Sequence, residues 1–282
     1  MIYLGLSILS STLIFVVFKY VGKFNLSTLQ VIVVNYITAC IFGVAASNTE
    51  FHLQDIIASN WFIGAFVLGF LFISIFNLMA LTAQKNGLSV ASVASKMSVV
   101  IPVIFGIIIY KESLGYQKII GVLLALVAVY LTSVTPKSEA RLSRHIYLPL
   151  LLFLGSGVID TSIKYFAPPD NIQLFSATIF GFAFVIGILV LVLKRKKQTR
   201  LKPSVILFGI LLGIINYGSI YFLLKALNVQ NAESSVIFTV NNVGIVALST
   251  ITGLLIFSEK ISFKNWIGIS LAMISILLVT TL

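Results

Sequence analysis

Ten long apolar runs occupy most of this 282-residue chain and leave only short connections between them. They cover Ile2–Phe18, Thr28–Ala46, Trp61–Thr82, Leu88–Tyr110 and Tyr116–Val134, then Tyr147–Phe166, Ile172–Leu193, Ser204–Leu227, Glu233–Phe257 and Asn265–Leu282. A helix crossing a bilayer needs about 20 apolar residues, and the runs have that scale. They are continuous and do not alternate with period two, so they are not the strands of a membrane barrel. Only 10% of residues are charged, against about 25% in soluble domains. The expected fold is an all-α integral membrane protein with ten transmembrane helices. The first run carries no Lys or Arg before Lys19 and has no clear small-residue cleavage site, so it reads as a helix of the mature protein rather than a signal peptide. Cys40, the one cysteine, falls within an apolar run. It forms no intrachain disulfide and reads as a packing residue.

The charge pattern orients the helices. Number the loops by the helices they join. The odd loops carry Lys23, Lys85, Lys137, Arg141, Arg144, the block Lys194, Arg195, Lys196, Lys197, Arg200 and Lys202, and then Lys260 and Lys264. The even loops carry Lys111 and Lys118. Cytoplasmic loops are enriched in Lys and Arg, so the odd loops are expected inside the cell and both termini outside, with the protein in the cell membrane. The formal charge of +11 is therefore a topology signal facing anionic headgroups. It is not a nucleic-acid footprint, because the basic block has no aromatic stacking residues between its charges.

The chain also repeats itself. Pro102, Gly106, Glu112 and Gly121 correspond to Ser249, Gly253, Glu259 and Gly268 at a constant offset of 147. Phe18-Lys19-Tyr20 corresponds to Ile163-Lys164-Tyr165 at an offset of 145. Each half holds five spans, an odd number, so the second copy must enter the membrane from the opposite side. Two inverted five-helix repeats follow, at residues 1–135 and 146–282. That arrangement suits alternating access to a site between the halves. The Pro-x3-Gly-x5-Glu-x8-Gly pattern, occurring twice at the end of five apolar helices, resembles the EamA repeat of the drug/metabolite transporter superfamily. The resemblance covers nearly the whole chain. It implies a ten-helix transporter with a central cavity, often one that exports amino acids or other metabolites. Ser249 stands where the pattern has proline, and helix 9 carries about one extra turn.

Ionisable side chains inside a bilayer usually face a cavity or a partner. Lys96 lies about 12 Å into helix 4 at 1.5 Å per residue, amid Thr82, Ser89, Ser92, Ser95 and Ser98, and is the first candidate for the solute pathway. Asp160 and Lys164 share a face of helix 6. They form either a local ion pair or a coupling site in which substrate frees the carboxylate for a proton or cation. Lys19 lies at a helix end and is expected to snorkel to the headgroups, while Lys225 suits pathway and interface equally. Asn35, Asn77, Asn216, Asn241 and Asn242 can bond a solute or a neighbouring helix, and Tyr36 and Tyr217 are candidates to line a cavity. Glu112 and Glu259 are expected to stabilise tight turns or pair with nearby basic groups. Ala39-x3-Gly43, Ala65-x3-Gly69 and Gly209-x3-Gly213 permit close helix approach.

Other chemistries have no signature. His52 and His145 lie in loops without an HExxH pattern, and no Gly-x4-Gly-Lys-Ser/Thr loop is present. No cofactor or metal is expected, and the expected partners are the bilayer and a small solute. The leading expectation is a secondary transporter of a small metabolite, an amino acid or an anionic solute, with export favoured and Lys96 attracting an anionic group. An intramembrane enzyme or lipid-handling protein is the alternative, and would need a second deep acid or an intramembrane His beside Asp160. A non-transporting assembly partner is the third reading.

Overall fold

The computed structural model describes residues 2–46, 53–101, 104–105, 116–133, 145–166, 168, 172–193, 201–227 and 234–280. Among these, the regular elements are all helical. They are α1 (Ile2–Lys23), α2 (Thr28–Ala45), α3 (Leu53–Ile57), α4 (Phe62–Lys85), α5 (Leu88–Met97), α6 (Tyr116–Ser133), α7 (Tyr147–Phe166), α8 (Ile172–Leu193), α9 (Pro203–Leu227), α10 (Ser234–Phe257) and α11 (Phe263–Thr280). Every apolar run of the sequence overlaps one of them, and α3 is a short addition before the third run. Six are long and apolar enough to cross a bilayer. Ile63, Leu193 and Leu255 are at least 75% exposed. Large apolar side chains in that state belong against hydrocarbon, where water imposes no penalty on them.

Helix packing alternates between the halves. α2 packs on α9 and α8, α4 on α8 and α7, and α1 on α9 and α10. α6 and α11 form the most extensive pair and stand together. The main core gathers Phe18, Tyr36, Phe76 and Phe180. Phe18 meets Phe76 edge-on with ring centroids 5.7 Å apart, and Tyr36 stacks on Phe180 at 5.9 Å. A second core joins α5, α6, α10 and α11 through Val93, Met97, Ala128, Val246 and Ile276.

Small residues set how closely these helices approach. A Cβ added at Gly213 would lie 2.5 Å from the Thr38 side chain and 2.8 Å from the Asn35 carbonyl oxygen. One at Gly209 would lie 2.4 Å from Val34. The Gly209-x3-Gly213 face is therefore the contact of α9 with α2. Gly69 similarly meets Phe182 and the Ala183 backbone of α8, and Gly43 meets Ala177. Backbones this close maximise dispersion contact in a medium that offers no hydrophobic driving force.

One face of the bundle is tied across its helix ends. Lys19 of α1 donates to the Ala83 carbonyl of α4 at 3.2 Å. Asn265 of α11 donates to the Thr132 carbonyl of α6 at 2.6 Å, and Asn86 donates to the His145 carbonyl at 3.5 Å. This is the face of the odd loops. Gly213→Leu should destabilise the protein by about 1–3 kcal/mol, because the α2 backbone must move to admit the side chain. Thermal unfolding of purified protein in detergent measures it, and an unchanged midpoint would contradict the packing described.

Candidate functional site

Lys96 and Asp160 are brought together although they are far apart in sequence. Lys96 lies on α5 and Asp160 on α7, two helices in direct contact. The two charges interact electrostatically, yet among the described residues the salt bridge in direct contact is a different one. Ser98, two residues beyond Lys96, donates to Asp160 Oδ2 at 3.2 Å. Asp160 is exposed on α7 and Lys96 half-buried on α5. A carboxylate and an ammonium on facing helices bring opposite charges together between the halves. Such a pair can engage a small solute that offers groups to either charge.

Beside this pair, hydroxyls continue across the interface. Ser249 of α10 donates to Ser92 Oγ of α5, which donates to the Ser89 carbonyl at 3.0 Å. Ser249 is the residue that departs from the repeat's proline. Its hydroxyl supplies a bond between α5 and α10 that proline lacks.

The other polar candidates divide by place. Asn35 is fully buried, and Asn216 of α9 donates to its Oδ1 at 3.3 Å. Ser7 of α1 donates to Asn241 Oδ1 at 3.0 Å, and Ser11 donates to Ser219 at 3.1 Å. These amides and hydroxyls join helices. Asn242 is buried and Asn77 half-buried. Tyr36 differs from its expectation as a cavity residue. It is completely buried beside Phe76 and Phe180, and its hydroxyl donates to the Phe72 carbonyl at 2.9 Å, which satisfies its polar atom in the core. Tyr217 and Tyr221 stack at 6.1 Å, and Lys225 lies over Tyr221 at 5.7 Å. Lys225 is exposed at the end of α9, so its ammonium rests on an aromatic face. Pro102, Gly106, Glu112, Glu233 and the Lys164 side chain lie outside the described residues.

The largest correction concerns Lys19. It does not snorkel to the headgroups. α1 continues to Lys23, and the Lys19 ammonium pairs with Glu259 Oε1 at 2.9 Å. A charge-assisted bond inside the protein replaces hydration at the interface. Glu259 follows the end of α10, but its carboxylate does not oppose its own helix dipole. It turns back to the start of α5, where Leu88 N–H donates to Oε1 at 2.9 Å and to Oε2 at 3.1 Å. Ser89 Oγ approaches Oε2 at 3.5 Å. The positive end of α5 favours this anion.

This arrangement explains the Gly-x5-Glu spacing. Ser258 adopts φ 50°, and Glu259 N–H donates to the Gly253 carbonyl at 3.0 Å. The left-handed residue reverses the chain after α10. A Cβ on Gly253 would lie 2.6 Å from Glu259 Oε2, and one on Gly87, at φ 107°, would lie 2.8 Å from it. Both glycines leave room for the carboxylate. Beside it is an open cavity of about 170 Å³, lined among others by Lys19, Lys85, Asn86, Ser89, Glu259 and Lys260. Gly121 and Gly268 serve the α6–α11 contact. Ser275 donates to the Gly121 carbonyl at 2.7 Å, and a Cβ on Gly268 would lie 3.0 Å from Leu131 Cβ.

Lys96 and Asp160 should show energetic coupling. Thermal unfolding of Lys96→Met, Asp160→Leu and the double variant is expected to give a double loss smaller than the sum of the singles by at least about 0.5 kcal/mol. Additive losses would show that the two charges do not support each other.

Comparison with known proteins agrees with this architecture. An uncharacterised protein of Haemophilus influenzae is 32% identical over 272 residues, which span 93% of this chain and 92% of that protein. A solved crystal structure aligns over 97% of both chains with a TM-score of 0.59 at 14% identity, a likeness of fold. The profile of the EamA-like transporter family matches residues 1–134 and 145–281. With nearly the whole chain matched in two segments on a multi-pass helical bundle, this protein belongs to the EamA-like transporter family.

Proposed function

We propose that the protein is a secondary transporter that carries a small metabolite through the space between its halves by alternating access. The observation that carries this reading is the Lys96–Asp160 charge pair, carried by α5 of one half and α7 of the other. Its two charges suit a solute that offers a carboxylate to Lys96 and an ammonium or hydroxyl to Asp160. Amino acids have that pattern. Asp160 also suits proton or cation coupling, because a solute engaging Lys96 frees the carboxylate beside it.

Packing between the halves supports an inverted repeat. Exchange the two halves, so that α1 becomes α7, α2 becomes α8, α4 becomes α9, α5 becomes α10 and α6 becomes α11. The pair α2–α9 then becomes α8–α4, α1–α9 becomes α7–α4, and α1–α10 becomes α7–α5. Each of these is a real contact. A pattern that survives this exchange can open at either face with similar contacts. The odd-loop face carries the basic residues and is taken as cytoplasmic, with both termini outside, in the cell membrane. In this structure the Lys19–Glu259 bridge ties that face. Export from the cytoplasm is the direction we favour.

Cells expressing wild-type protein should release one compound class into the medium, and cells with Lys96→Ala at matched membrane levels should not. Metabolite profiling of the medium reads this directly. Unchanged release by a well-folded Lys96→Ala protein would remove Lys96 from the route, and no release by either would count against export.

A further inference from the structure

The Lys19 ammonium, the Leu88 N–H and the Ser89 hydroxyl converge on one carboxylate. Lys19 and the start of α5 both come from the first half of the chain. The carboxylate, Glu259, comes from the second. Nothing else in the contact requires that the anion be covalently attached to the protein. The donors form an anion site in their own right, with a helix N-terminus, a hydroxyl and an ammonium aimed at a single point.

Two further features favour an external anion here. The site adjoins an open cavity at the odd-loop face. The exposed lysines Lys85 and Lys260 line that cavity, and among the described residues neither has a side-chain partner. Their positive charge draws anions toward the opening. Glu259 also occupies the site as a removable arm. It stands beyond the end of α10 on a left-handed turn at Ser258, and its side chain is 13% exposed.

We propose that Lys19, Leu88 and Ser89 form a carboxylate-binding site in which Glu259 is the resident occupant. A carboxylate-bearing solute entering from the odd-loop face competes for the same donors, displaces Glu259 and unties the two halves there. This deepens the transport reading, on which its cytoplasmic placement and its solute class rest. The site becomes a lock that the cargo's own functional group opens. Charge balances at each stage. Lys19 and the α5 terminus exchange one carboxylate for another, while the freed Glu259 gains water and the nearby Lys85 and Lys260.

Chemical rescue tests the site. In Glu259→Ala the donors are vacant, and acetate supplies the missing carboxylate. Purified wild type, Glu259→Ala and Lys19→Met/Glu259→Ala are melted in nanodiscs across an acetate series, with chloride at equal ionic strength as control. The expected result is a saturable rise in the Glu259→Ala midpoint with acetate, absent with chloride and absent in the double variant. No acetate-specific rise, or an equal rise in the double variant, would overturn the site.

The lock is read separately by thiol labelling. Cys40 is replaced by Ala and a cysteine is placed at Val90, a buried residue lining the cavity. An impermeant maleimide applied to the odd-loop face should label the Glu259→Ala background roughly tenfold faster than wild type, a coupling of ordinary size. Acetate should raise the wild-type rate. Equal rates, or an acetate-insensitive wild type, would overturn the gating role. If Glu259→Ala fails to reach the membrane, Glu259→Gln keeps the side-chain volume and carries the same labelling comparison. Neither readout measures transport. A failed transport assay leaves the site standing, and a failed rescue leaves the transport reading standing.

Discussion

Hydrocarbon offers no hydrogen-bond partner, and the rest of this structure follows from that constraint. Each spanning segment must satisfy its own backbone, which makes it a helix. Between helices the hydrophobic effect is nearly absent, so association depends on close packing and on polar bonds buried between segments. Both are concentrated where the halves meet. Gly209 and Gly213 bring α9 against the α2 backbone. On the same pair of helices, Asn216 bonds Asn35. Ser249 reaches Ser92 between α10 and α5, and Ser7 reaches Asn241 between α1 and α10.

These bonds differ in what they allow. The Asn35–Asn216 and Ser7–Asn241 pairs are buried and neutral, and their partners have no alternative in the bilayer. The Glu259 contact stands at the edge of the bundle, where water and ions compete for each donor. The Lys96–Asp160 pair is intermediate, charged like the Glu259 contact but carried on the facing helices α5 and α7. Polar chemistry thus grades from fixed to exchangeable along the same interface. That gradation is what a protein needs if it must stay folded while one end of the interface parts.

Much of the architecture was legible in the sequence, because length and apolarity are local properties. Several runs coincide with observed helices, as with Tyr147–Phe166 and Ile172–Leu193, whereas α1 runs on past Phe18 to Lys23 and the end of the fourth run lies outside the described residues. The small-residue faces were legible for the same reason. Lys96 and Asp160 were each marked by the cost of a charge in lipid. Their neighbourhood was not, since the local partner suggested by spacing was Lys164, and nothing local announces that α5 lies against α7. Lys19 and Glu259 illustrate the same gap. Each carried a mark, one as a repeated lysine and the other as a repeated acid. Their meeting depends on a turn at Ser258 and on the two bare glycines, Gly87 and Gly253, that no single-residue rule connects.

Charge is distributed unequally between the halves. At the repeat offsets, Lys96 corresponds to Val243 and Asp160 to Phe15. A hypothetical ancestor assembled from two copies of the first half would bury Lys96 twice and contain no Asp160. One made from two second halves would carry Asp160 twice and contain no Lys96. Neither symmetric pair would hold the Lys96–Asp160 combination. On the two-repeat reading, joining the copies in one chain is what lets opposite charges stand on the two sides of one interface.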